Sequence, residues 1–297
     1  MLLLWSSPER VVLSCIWRGW RFKGILGFDR QCREGMHMYE QYYEPLPDVE
    51  AYLDRISYDG PRECTVEVLD RLLTCHQMSV PFEDLEVFTE GKVPSLAVRD
   101  IFDKIVTRHR GGYCFEVNGC FYALLKAFGF KCWSVTARIR EGKPYPQLPL
   151  HRGTLVKFDD DLRWVDCGSG NQQAGISLSI YDNGIKHTPT GDFRIEQVDG
   201  HFDLVAYDRH ADAWSVKLSF SAEPTEIVDF IVMNYYCAGD PKSPFRNMRL
   251  VNLRTPTGSI AIEGNTLREH VDGRLTTTEL ADEEIPRVLE ERFGIVL

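Results

Sequence analysis

The chain has 297 residues, 43% of them hydrophobic, 11% aromatic and 26% charged, a composition that builds a folded core of two or three domains and excludes a disordered chain. Thirty-four Lys plus Arg against forty-four Asp plus Glu leave a net charge of -10 and a pI near 5.3, which excludes a broad basic face for nucleic acid. The longest apolar runs, such as Val11 to Trp17, fall short of the roughly 18 to 20 residues that cross a bilayer, so no membrane span is expected.

Residues 1–37 depart from the rest. Arg10, Arg18, Arg21, Lys23, Arg30 and Arg33 oppose only Glu9, Asp29 and Glu34, so this segment is +3 and the remainder -13. It lacks the basic start and small-residue cleavage site of a secretory leader, and its apolar residues keep no helical period. The segment is read as a poorly packed extension, with translation beginning at Met36 or Met38.

Helices are expected over Asp48 to Tyr58 and Thr65 to His76; in the second, Leu69, Leu72, Leu73 and His76 recur at helical spacing behind a Thr N-cap. A third runs from Ser95 to about Thr107. A fourth starts near Cys114, aligns Val117, Phe121, Leu124, Leu125 and Phe128, and stops at Gly129. Beyond Gly129 the period changes to two: Trp133, Val135, Ala137 and Ile139 alternate with polar residues, as in a half-buried strand. Further strands are expected over Leu150 to Phe158, Leu162 to Asp166, Phe193 to Val198, Phe202 to Tyr207 and Trp214 to Phe220. Short strands at this spacing predict an antiparallel barrel or sandwich. Thr225 is read as the cap of a helix through about Tyr236. A Gly239 to Pro244 loop, more strands and a helix from Asp282 to Phe293 complete an α+β chain.

The nine cysteines, at 15, 32, 64, 75, 114, 120, 132, 167 and 237, form no Cys-x-x-Cys pair. They fit neither a secreted disulfide framework nor a structural zinc site; reduced thiols in the cytoplasm and no metal are expected. Cys114 stands out by context. It follows Arg110-Gly111-Gly112-Tyr113 and opens a helix, where unpaired N–H groups and the positive dipole end favour thiolate. Paired glycines let a substrate approach the backbone, and first-turn N–H groups can receive an oxyanion. His151 lies in one expected strand and Asp166 ends the next, so a carboxylate can orient an imidazole that takes the thiol proton. An inert helix-start cysteine and a core histidine are the competing readings.

The segment Arg110-Gly111-Gly112-Tyr113-Cys114-Phe115-Glu116-Val117-Asn118, with His151 lying 37 residues beyond the cysteine and Asp166, in Val165-Asp166-Cys167-Gly168, a further 15 residues on, resembles the arylamine N-acetyltransferase family. Val80-Pro81-Phe82-Glu83-Asp84-Leu85 is similar to the family's Pro-Phe-Glu-Asn-Leu segment, and Pro241-Lys242-Ser243-Pro244-Phe245 to its loop before the last domain. The resemblance implies an N-terminal helical bundle (38–129), a central antiparallel β-barrel (130–236) and a C-terminal α/β lid (237–297) around a cysteine-protease-like core. It implies a two-step reaction with acetyl-CoA as co-substrate and no tightly bound cofactor. Cys114 is acetylated, and an aromatic amine, hydrazine or hydroxylamine takes the acetyl group; His151 is base then acid, and Asp166 orients it.

By the same resemblance Arg110, Glu116 and Asn118 would brace the nucleophile loop, Phe82 would line the acceptor pocket, and Lys242, Ser243 and Phe245 would face CoA. One departure is Ser169, where the family carries an aromatic beside the acceptor. Three alternatives stay open: an amide synthase or acyltransferase using a larger acyl donor, a papain- or transglutaminase-like thiol hydrolase, and a non-catalytic binding module. No glycine-rich phosphate loop is present.

Overall fold

The computed structural model describes residues 38–170, 173–208 and 211–297; the expectation for residues 1–37 lies outside them. Caps start the first helices where the sequence supplies them: Asp48 accepts the Ala51 N–H (3.0 Å) ahead of α1 (Val49–Arg55), and Thr65 accepts the Val68 N–H (3.3 Å) ahead of α2 (Val66–Ser79). A two-residue strand β1 (Phe82–Glu83) and helix α3 (Leu85–Glu90), neither legible as an element in the sequence, follow. The third expected helix is split: α4 (Val98–Phe102) continues into a π-helical turn, Asp103–Thr107. Helix α5 (Cys114–Phe128) ends at Gly129, whose φ of 95° is left-handed and suits a residue without Cβ. Leu69, Leu72 and Leu73 of α2 join Phe115, Phe121 and Leu124 of α5 in one buried core.

Eight strands then form one antiparallel sheet: β2 (Lys131–Ile139), β3 (His151–Lys157), β4 (Leu162–Val165), β5 (Leu178–Ser179), β6 (Lys186–Thr188), β7 (Gly191–Val198), β8 (His201–Asp208) and β9 (Ala213–Phe220), in the order β5-β4-β3-β2-β9-β8-β7-β6. It curls into a nearly closed barrel filled by Val135, Ala137, Leu155, Trp164, Phe193, Leu204 and Phe220. Strand β3 is covered on both faces: Leu155 belongs to the barrel core, whereas Val156 belongs to the helical core. That placement decides the site. With Thr154 opposite Val165, His151 and Asp166 fall at the same end of adjacent strands.

Helix α6 (Asp229–Gly239) begins later than expected. Thr225 is not its cap; its hydroxyl accepts the Thr136 N–H (3.0 Å) and ties the chain to β2. The helix packs Phe230, Cys237 and Ala238 into the first core rather than the barrel. After the short α7 (Pro244–Asn247), strands β10 (Leu250–Thr255), β11 (Gly258–Glu263), β12 (Thr266–Val271) and β13 (Arg274–Glu279) form a sheet that β1 extends at the β10 edge. The C-terminal layer thus takes a strand from far upstream. Helix α8 (Ile285–Phe293) buries Ile285, Val288, Leu289 and Phe293 against that sheet and ends at left-handed Gly294. The fold is α+β, as the sequence predicts.

Candidate active site

Cys114 is the first residue of α5 and only 2% exposed. Its sulfur lies against the backbone on both sides of His151: Sγ–H donates to the Leu150 carbonyl (3.8 Å), and the Arg152 N–H donates to Sγ. His151 Nε2 is 2.8 Å from Asp166 Oδ2, which leaves Nδ1 as the ring nitrogen open to another proton. Asp166 is gripped on its other oxygen by the Asn118 amide (3.0 Å) and the Gly168 N–H (3.0 Å). Asn118 also accepts the Cys167 N–H (2.9 Å), so one side chain of α5 aligns the whole turn after β4. Burial works to raise the Asp166 carboxyl, but the charge and hydrogen bond of His151, with the Gly168 and Asn118 donors, outweigh it and hold the group below its ordinary value.

The sulfur behaves otherwise than the helix start suggests. Burial pushes the Cys114 thiol well above its ordinary value, and Cys237 and Asp166 push it further, while the Arg152 and Phe115 N–H groups pull it back. Desolvation of a sulfur with so little exposure exceeds the help of the dipole. A thiol, imidazole and carboxylate placed in this way can pass the sulfur's proton to the ring and present a thiolate to an acyl carbonyl.

The glycines act differently from the expected substrate approach. A Cβ on Gly111 would overlap the Pro81 carbonyl oxygen, and one on Gly112 would stand 2.8 Å from the Glu116 Cβ. The Glu83 N–H donates to the Gly112 carbonyl (2.9 Å), which closes this backbone onto the 81–83 segment. The protein's own chain fills the space at both positions. Glu116 Oε2 accepts the Tyr113 N–H (3.1 Å), and its other oxygen meets Lys104 Nζ at 2.8 Å. Lys104, 3% exposed, also reaches Glu86 (3.1 Å) and Glu83 (3.9 Å), and Arg110 pairs with Glu83 (3.0 Å). Burial opposes the Lys104 charge, but these three carboxylates hold the ammonium above its usual range; burial in turn pushes Glu116 up to about 7 against the pull of Lys104.

Phe82 is buried, and its ring packs at 6.5 Å from Phe245, which meets Tyr113 edge-on at 5.4 Å. Ser169 lies with Asp166 and Trp164 on a small recess. Ser243 is buried at the start of α7, whereas Lys242 is exposed on the turn before it. Sequence reasoning missed Gln77, Lys104 and Arg152. Gln77 Nε2 donates to the Asp166 carbonyl (2.9 Å); a polar residue continuing the Leu69, Leu73 stripe of α2 was its signal. Arg152 is buried, donates to Ser134 Oγ (3.2 and 3.0 Å) and lies over the rings of Phe230 (4.9 Å) and Tyr122 (5.5 Å). Among the described residues no group of His, Cys, Asp and Glu is arranged to hold a metal.

A thiol at a helix start, packed against the strand that carries an imidazole–carboxylate pair, is an arrangement able to serve thiol-based acyl transfer or hydrolysis. A sequence profile of the N-acetyltransferase family matches residues 65–297. The chain is 32% identical to arylamine N-acetyltransferase of Mycobacterium tuberculosis over 84% of its length and 89% of that protein. It is 29% identical to human arylamine N-acetyltransferase 1, covering 84% and 94%. The M. tuberculosis arylamine N-acetyltransferase structure superposes with a TM-score of 0.79 at 30% identity, covering 84% and 94%; that of M. marinum in complex with CoA gives 0.79 at 27%, covering 84% and 93%. The chain belongs to the arylamine N-acetyltransferase family and is an acyltransferase.

Proposed function

We propose that this protein transfers acetyl groups from acetyl-CoA to arylamines, arylhydrazines or N-hydroxyarylamines by a ping-pong route through acetyl-Cys114. The observation that carries this reading is the His151–Asp166 pair set at the strand ends where the Cys114 sulfur packs. The CoA found with the M. marinum relative supports the donor. His151 takes the Cys114 proton as sulfur attacks the acetyl carbonyl; the thioester to Cys114 forms, the bond to CoA breaks, and CoA leaves with the imidazolium proton. The acceptor nitrogen then attacks the thioester, gives its proton through His151, and Cys114 returns as the thiol. Asp166 keeps the imidazole in one tautomer and orientation. Asn118 and Gln77 act as positioning residues for Asp166, and Arg110, Glu116 and Lys104 for the loop before Cys114.

Phe82 lines the acceptor side of the site, with Lys242, Ser243 and Phe245, whose ring packs 6.5 Å from that of Phe82, toward CoA. The seven described cysteines are free, which supports a cytoplasmic enzyme, and no described helix is long and apolar enough to cross a membrane. Intact-mass analysis after adding acetyl-, propionyl- and malonyl-CoA tests the reading. A single acetyl adduct, lost in Cys114→Ser and discharged by an arylamine, is expected. Exclusive acylation by a larger donor would favour the larger-acyl alternative, and acylation only by peptide or glutamine esters would favour a thiol hydrolase.

A further inference from the structure

A cavity of about 360 Å³ opens between the barrel and the C-terminal sheet. Gly170 is part of its lining, and an added Cβ there would stand 3.0 Å from the Phe82 ring, so the cavity adjoins the site. Strands β10 to β12 supply Arg254, Ser259 and Arg268 to its wall. Arg268 is neutralised by Glu263 (3.2 Å). Arg254 is not: among the described residues no carboxylate lies within ion-pair reach of its guanidinium. Its Nη1 is 3.3 Å from each of three neutral oxygens, on Thr74, Gln77 and Gly175, and its buried Nε has no hydrogen-bond partner.

The chain makes room for this group. Gly175 has a left-handed φ of +74°, and a Cβ there would overlap Nη1. Of the acids on the wall, Glu263 is engaged by Arg268 and Asp208 receives the Ala211 N–H (3.1 Å). A half-buried guanidinium without a counter-ion is costly unless an anion completes it, and its planar fork suits phosphate and carboxylate oxygens. Gln77 ties the position to the reaction centre, since its oxygen accepts from Arg254 while its nitrogen donates to the Asp166 carbonyl (2.9 Å). Desolvation depresses the Arg254 pKa, in line with a cation that the fold leaves unpaired.

We propose that this cavity binds an anionic group of a substrate, a phosphate or a carboxylate, on the guanidinium of Arg254. The site itself stands on this geometry; only the carrier rests on the reading of the chain as a CoA-dependent acetyltransferase, in which the donor brings phosphates and an arylamine acceptor can bring a carboxylate. Binding is tested without turnover. Pyrophosphate and 4-aminobenzoate are added separately to the full chain and thermal unfolding is followed. Saturable protection by at least one is expected, lost in Arg254→Gln and partly kept in Arg254→Lys. Protection by neither, or protection unchanged in Arg254→Gln, overturns the site, whereas Cys114 acetylation by acetyl-CoA, read by intact mass, reports separately on the functional reading.

Two matched pairs identify the carrier: acetyl-CoA against acetylpantetheine, and 4-aminobenzoate against aniline. Arg254→Gln should raise KM about tenfold or more for the anionic member of one pair and leave its neutral partner nearly unchanged. Equal losses on both members of both pairs make Arg254 a structural residue and overturn the proposal. Should Arg254→Gln fail to fold, Arg254→Lys, which keeps the charge and loses the fork, carries the same comparison with a smaller selective rise, and no selective rise overturns it.

Discussion

The floor of the site and its rim are built on different principles. On the floor, Cys114, Asn118, His151 and Gln77 are buried, the Asp166 side chain is only 8% exposed, and the Asp166 oxygens are all engaged, by His151, Asn118, Gly168 and Gln77. At the rim, Ser169, Lys242 and Phe245 are half-buried or exposed, and Arg254 keeps an unpartnered Nε. A closed hydrogen-bond network fixes a geometry, because any slack leaves a buried polar atom unpaired. An open rim leaves space for substrates of different shape. Under the proposed mechanism, reaction type belongs to the floor and selectivity to the rim.

Substitutions on the floor should abolish chemistry whatever the acceptor. Cys114→Ser should remove acyl transfer with an unchanged circular dichroism spectrum. Asp166→Asn should lower kcat by up to about 10⁴-fold by freeing the wrong imidazole tautomer; equal loss on every acceptor is the expected pattern, and a loss that varied with the acceptor would blur the division. His151→Gln should raise the apparent pKa for Cys114 alkylation, and a thiol titrating like the parent's would remove His151 from the floor.

One layer below, Lys104→Met leaves three carboxylates without their ammonium and should cost about 3 to 5 kcal/mol in denaturant unfolding. The deficit should shrink as pH falls below about 7 and Glu116 takes up a proton. Asp84 sharpens the same point through pH. It is 2% exposed, and burial pushes its carboxyl up to about 8. The folded value lies above the unfolded value of about 3.9, so its contribution to stability is complete below that pH and is lost as pH rises through about 8, at a slope of up to about 1.4 kcal/mol per pH unit. Asp84→Asn, which installs the amide found in the related Pro-Phe-Glu-Asn-Leu segments, should flatten stability between about pH 4 and 8, and an unchanged profile would show that Asp84 is ionised in the folded state.

The smallest effect is expected at the rim. Ser169→Phe restores a stacking surface worth about 0.5 to 1.5 kcal/mol, a few-fold gain in kcat/KM for flat aryl acceptors with the acetylation half-reaction untouched. An unchanged ranking of acceptors would take Ser169 out of the selectivity determinants.

Much of this was legible in local pattern. Thr65 and Gly129 mark a helix start and a helix end, and the alternation from Trp133 to Ile139 marks a barrel strand. The spacing of Cys114, His151 and Asp166 singles out three residues that the fold brings to one place. Other features were not legible, for identifiable reasons. Strand β1 is two residues long and exists because β10 pairs with it, Phe82 opposite Asn252; nothing within two residues can announce a partner so far along the chain. Gly111 and Gly112 read as room for substrate, yet that room is taken by Pro81, Glu83 and Glu116. Thr225 reads as a cap and serves as a stitch to Thr136.

By itself the sequence determined the periodic elements, their caps and the residue types able to activate a thiol, because these depend on neighbours within a turn or a pleat. Only the tertiary structure decided how those groups behave. How far burial shifts the Cys114 thiol and the Asp84 carboxyl, and which arginines are left without a counter-ion, depend on solvent exclusion and on charges brought together from distant segments. Desolvation is a property of the assembled interior, and no stretch of chain carries it alone.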